Sequence, residues 1–100
     1  MAAEPQQGTS EEFTALGQRL ADGKWIVVGV VCEGDAIYID SENLWAHKWE
    51  SLKAHLELPH PAYPNQHHRM DVYRITVVGR SIVFAAGELS ANVWGFYRPG

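Results

Sequence analysis

The chain reads as an α+β domain, a strongly bent five-stranded antiparallel sheet with two helices in the order α-β-β-α-β-β-β. Three observations predict this. Leu44, Trp45, Trp49, Leu52 and Leu56 recur at helical spacing. β-Branched or alternating apolar runs occupy 24–32, 36–40, 72–78, 81–86 and 93–97. Between the helical stripe and the last three runs lies Leu58 to His68, with Pro59, Pro61 and Pro64. Prolines remove donors and fix φ, so this stretch can be neither a helix interior nor a central strand.

The 100 residues suit a single domain, taken as 10–100 behind a disordered tail over 1–9. The apolar fraction of 46% and charged fraction of 20% are those of an ordinary globular protein. A single cysteine, Cys32, excludes an internal disulfide framework and a cysteine-rich zinc site. No apolar run reaches about 18 residues, so no membrane span is expected. Met1 to Ser10 has neither a charged n-region nor an apolar h-region, and a cytoplasmic protein is expected. The formal charge of −4 argues against a general nucleic-acid binder, although Arg69, Arg74, Arg80 and Arg98 all fall in the last third.

Each element has a local reason. Ser10 can cap a helix whose first turn carries Glu11 and Glu12, where negative charge suits the dipole. Phe13, Leu16 and Leu20 form its apolar face, and Gly23 ends it. Lys24 to Cys32 is apolar on both faces, as a buried strand should be, and Gly29 within it marks a bulge or bend. Glu33 to Asp35 reads as a tight turn, so Ala36 to Asp40 is expected to return as a hairpin strand. Asp40 or Ser41 then caps a second helix, which Pro59 stops. Past the proline loop, Val72 to Val78 alternates, Gly79-Arg80 turns, and Ser81 to Ala86 returns. Gly87 to Asn92 is a second connection before a last strand, Val93 to Tyr97. Two mid-strand glycines, Gly29 and Gly95, imply a strongly bent sheet.

Two fragments carry a family likeness. Gly34 to Leu44 has a glycine, an apolar residue two later, Asp40 six after the glycine, then Asn43. Ile75 to Phe84 runs strand, glycine turn, strand. Together they resemble the two motifs of the Sm-like family of small RNA-binding barrels. The resemblance implies a bent five-stranded architecture, partly closed as a barrel, and RNA contacts through Asp40, Asn43 and Arg80. Residues 44–58 read as a helix where that family continues as a strand.

The remaining candidates divide by chemistry. His60, His67 and His68 lie in the proline loop, where a chain can bring imidazoles together around zinc or nickel, with His55 or Asp71 nearby in sequence. Such a site would support a metal-dependent hydrolase, but no HxxxH or HExxH spacing accompanies it. The preferred reading of these histidines is therefore a solvated loop. Cys32 reads as a structural core thiol. Asp35, Asp40 and Glu42 fall at turn and cap positions, where carboxylates are expected anyway. Trp45 and Trp49 share the helical stripe and read as core, while Trp94, Phe96 and Tyr97 crowd the terminal strand.

The sequence thus favours a non-catalytic binding domain without a cofactor. Its expected partner is another protein or a second copy, giving an oligomer, with Trp94, Phe96 and Tyr97 as contact residues.

Overall fold

The computed structural model describes residues 25–32 and 34–100. The tail over 1–9 and the helix expected from Ser10 to Gly23 lie outside them. Among the described residues seven strands run in chain order: β1 (Trp25–Cys32), β2 (Tyr38–Ile39), β3 (Glu42–Asn43), β4 (Glu50–Pro59), β5 (His67–Val77), β6 (Arg80–Ser90) and β7 (Val93–Pro99). One 3-10 turn, Leu44–Ala46, separates β3 from β4. Strands hold 68% of the described residues, and none of these residues lies in an α-helix. The expected α+β class with two helices is therefore corrected, for the described residues, to an all-β arrangement.

The main sheet is antiparallel, in the order β1-β7-β6-β5-β4. β4 to β7 form a meander, and β1 closes on the far side of β7. The hairpin expected between 24–32 and 36–40 does not form. β1 pairs instead with β7, and the later segment makes its own small hairpin, β2 with β3. Among the described residues β1 and β4 do not pair, so the sheet stays open rather than closing as a barrel. Bulges at Val27/Gly29, Ser51/His55 and Glu88/Ser90 supply its bends.

The largest correction concerns the second expected helix. After the 3-10 turn the chain extends as β4. Leu52, Ala54, Leu56 and Leu58 alternate with Lys53, His55 and Glu57, and the first set is buried or half-buried while the second is exposed. Leu52 and Leu56 satisfy a period of two as well as a period of nearly four. The partner strand decides between them: Leu56 sits opposite the fully buried Met70. Pro59 ends an edge strand, where its missing donor costs little.

β6 also runs further than expected, through Gly87 to Ser90. A Cβ at position 87 would collide with the Arg69 carbonyl oxygen and the Met70 sulfur. Glycine there permits a backbone approach that any side chain would prevent, and β6 continues past β5 instead of turning. The turn that follows falls at Ala91-Asn92.

Both faces of the sheet are packed. The first carries Tyr73 opposite Phe84, Ile75 opposite Ile82, and Ala86 opposite Phe96. Ile37, Ile39 and Leu44 cover it from the segment between β1 and β4, called the flap below. The second face carries Val72 opposite Ala85 and Ala85 opposite Tyr97, with Met70, Leu52 and Leu89 buried beside them. Trp25 of β1 and Leu56 of β4 pack against the same clusters, so the two edges curl towards each other over this face.

A candidate binding groove lined by three tryptophans

The flap is held by local chemistry. Asp40 and Ser41, the two-residue turn between β2 and β3, both have positive φ (52° and 69°). That turn matches the twist of a tight hairpin. The Asn43 side chain accepts a hydrogen bond from the Trp45 backbone N–H (3.0 Å) and caps the 3-10 turn. Leu44 N–H donates to the Ile37 carbonyl at 2.9 Å, tying the ends of the flap hairpin together. Leu44 is fully buried.

This anchoring sets two indoles over the open end of the first face. Trp45 and Trp49 stack with centroids 5.0 Å apart and planes 17° from parallel. Both meet Phe96 edge-on, at 5.7 and 5.9 Å, and Trp49 also meets Phe84 at 4.9 Å. The Trp49 indole N–H donates to the Leu44 carbonyl at 2.9 Å, and that of Trp45 donates to the Asp35 carbonyl. Their polar atoms are thus satisfied by backbone, which leaves ring faces to form a surface.

A groove of about 590 Å³ opens there, lined by Val31 and Cys32 of β1, Gly34, Trp45, Trp49, Asn92 and Trp94. Trp45 is 51% exposed and Trp94 39%. Val31 and Trp94 are register partners on β1 and β7, and so share the face that the flap overhangs. The site therefore joins the start of β7, the end of β1 and the flap.

The residues singled out by sequence fare differently. Trp94 is at the groove, whereas Phe96 is fully buried and Tyr97 is 3% exposed, on the opposite face. The terminal strand β7 lies between β1 and β6, so it offers no free edge. Trp45, read as core, is instead an exposed wall of the groove. Cys32, read as a core thiol, is exposed there as well.

Of Asp40, Asn43 and Arg80, the first and last come together, through the hairpin turn and the start of β6, while the Asn43 side chain is engaged by the 3-10 turn. The Arg80 guanidinium donates to the Asp40 carbonyl and the Glu42 carboxylate, both at 3.2 Å, and lies 3.8 Å from the Asp40 carboxylate. Glu42 also meets His47 Nε2 at 3.0 Å. This cluster pins the flap to the β5–β6 turn.

The proline loop is built as a turn. His60 Nδ1 accepts from the Ala62 and Tyr63 N–H groups (2.9 and 3.3 Å), and the His60 N–H donates to the Gln66 carbonyl at 2.7 Å. The His60 and His68 rings lie 5.0 Å apart, and His67 is exposed. Among the described residues no three His, Cys, Asp or Glu side chains are placed to hold one metal ion. Among the described residues no helix is long and apolar enough to cross a membrane.

Comparison of the chain with known protein families, with curated proteins and with solved structures finds no match in any of the three.

Proposed function

We propose that this domain is a protein-binding module. It takes an extended partner segment along the outer side of β1, with one partner side chain seated in the tryptophan groove. The observation that carries this reading is the coincidence of two exposed tryptophans with the end of an uncharged edge strand. Trp45 and Trp94 face a groove whose wall includes Val31 and Cys32, the last residues of β1. Among the described residues β1 has one strand partner, β7. Ile26, Val27 and Val30 are each more than 40% exposed. Strand addition at such an edge supplies main-chain hydrogen bonds, and a pocket beside it reads side chains. An RNA-binding reading at Arg80 has less support, because two acidic residues already share its guanidinium.

The experiment selects short peptides on the protein from a random heptapeptide display library. The expected peptides quench or shift tryptophan emission, slow alkylation of Cys32 by iodoacetamide, and bind at least tenfold more weakly to Trp94→Ala, a loss of about 1.4 kcal/mol. Peptides that bind Trp94→Ala equally well and leave Cys32 unprotected would overturn the reading. Sedimentation at rising concentration tests a second copy as the occupant.

A further inference from the structure

We infer that the residue seated in the groove is cationic, and specifically an arginine of the partner strand. This rests on the binding reading above and names the chemistry that the same site selects. Three features of the molecule point to it.

The first is the surface offered. Three indoles line the groove, and the stacked Trp45–Trp49 pair leaves Trp45 half exposed. Indole faces carry negative quadrupole potential and attract cations more strongly than phenyl rings do. A planar guanidinium can lie flat on such a face and is weakly hydrated, so it loses less on leaving water than an ammonium does.

The second is the distribution of unpaired charge. Among the described residues Asp40, Glu42, Glu50 and Asp71 each have a basic partner. Asp35, Glu57 and Glu88 have none among those ion pairs. Two of these three flank the groove. Glu88 of β6 is the register partner of Trp94, on the same face and on the far side of that ring from Val31. Asp35 follows Gly34 in the groove wall, and its carbonyl holds the Trp45 indole.

The third is what the lining lacks. Among the described residues no Lys or Arg lines the groove. The nearest basic residue in sequence, Lys48, lines a different depression together with His47, Glu50 and Arg74. A groove with aromatic walls, acidic flanks and no cation among its described lining residues complements a positive side chain and disfavours an anionic one. Asn92 supplies a side-chain amide whose oxygen can accept from a guanidinium N–H.

The test compares two N-acetylated, C-amidated tripeptides, Val-Arg-Val and Val-citrulline-Val. Citrulline keeps the length and the planar end of arginine and lacks its charge, so the pair isolates the cation. Titration is followed by tryptophan emission and by the indole N–H resonances. The expected result is that the arginine peptide binds roughly 3- to 30-fold more tightly. The Glu88→Gln variant should narrow that ratio while leaving citrulline binding unchanged. Equal affinity of the two peptides would overturn the arginine inference and leave strand docking standing. Binding of neither peptide would overturn it as well, and strand docking would then be judged by its own display and alkylation experiment. A ratio unchanged in Glu88→Gln would overturn the assignment of Glu88 as counter-charge, and with it the selection of a cation by the groove.

Discussion

Tyr97 shows how a single side chain can carry a cost that the fold tolerates. Its ring packs on the second face with Met70, Ala85 and Leu89, yet its buried hydroxyl finds no hydrogen-bond partner among the described residues. An unsatisfied buried polar group costs about 1–3 kcal/mol. Tyr97→Phe removes that group and keeps the ring, so it should raise unfolding free energy by about 1 kcal/mol in urea denaturation. A loss of similar size would mean that the hydroxyl is bonded. Burial also raises the Tyr97 pKa above its ordinary value of 10.0. The folded state then holds its phenolic proton at a pH where the unfolded chain releases it. The associated stability is complete below about pH 10 and declines as pH climbs from there through the folded-state pKa. Tyr73 behaves alike, through burial first and the Asp71 charge second. Tyr97→Phe should therefore lose part of the alkaline decline and keep the part due to Tyr73. At this scale the sequence makes legible only that Trp94 stays exposed, on a terminal strand crowded with aromatics. It was misleading for Phe96 and Tyr97, because burial on either face of β7 depends on strands and a flap remote in sequence. Trp45 departs from its expected core position for a related reason: a helical stripe would turn it inward, whereas a single 3-10 turn leaves it half in water.

Among the elements, β4 was the least legible. The stretch from Leu44 to Leu56 satisfies helical spacing, and five apolar residues weigh heavily in that pattern. The alternation from Leu52 to Leu58 was equally present, and only pairing with β5 shows that it prevails. β1 was legible as a strand, but its neighbour was not. Its register partners run from Val93 to Pro99, more than sixty residues away, and no local signal specifies them. β4 carries its own local strain. At the bulge between Ser51 and His55, Lys53 adopts φ of 59°, and its N–H bonds to Ser51 Oγ at 3.2 Å. A residue with a Cβ in this region pays about 1–2 kcal/mol, and glycine avoids most of it. Glycine in turn loses about 0.5–1 kcal/mol more conformational freedom on folding. The difference favours Lys53→Gly by about 0.5 kcal/mol, readable as a higher urea midpoint with an unchanged slope. A midpoint lower than that of the parent would show that the lysine stem contributes packing that outweighs the strain.

At the scale of the molecule, the two edges of the sheet are built differently. β4 exposes Lys53, His55 and Glu57, contains a bulge and ends in proline. These devices keep one sheet edge from pairing with another. β1 has a bulge at Val27/Gly29 but no charged residue from Trp25 to Cys32, and three of its exposed side chains are apolar. An edge of that kind is either covered in use or a site of association. The asymmetry is what makes strand addition at β1 the reading of choice over addition at β4, and it can be reversed by design. Val30 is 46% exposed, so Val30→Lys adds a charge to β1 without disturbing the core. It should raise the concentration at which light scattering first detects association, with the unfolding midpoint changed by less than about 0.5 kcal/mol in equivalent stability. Glu57→Val removes a guard from β4 and should lower that concentration. If Val30→Lys leaves association unchanged while Glu57→Val still promotes it, then β1 is already covered in the intact chain. The partner segment would in that case have to displace whatever covers it, and display selection on the Val30→Lys protein should return the same peptides as the parent.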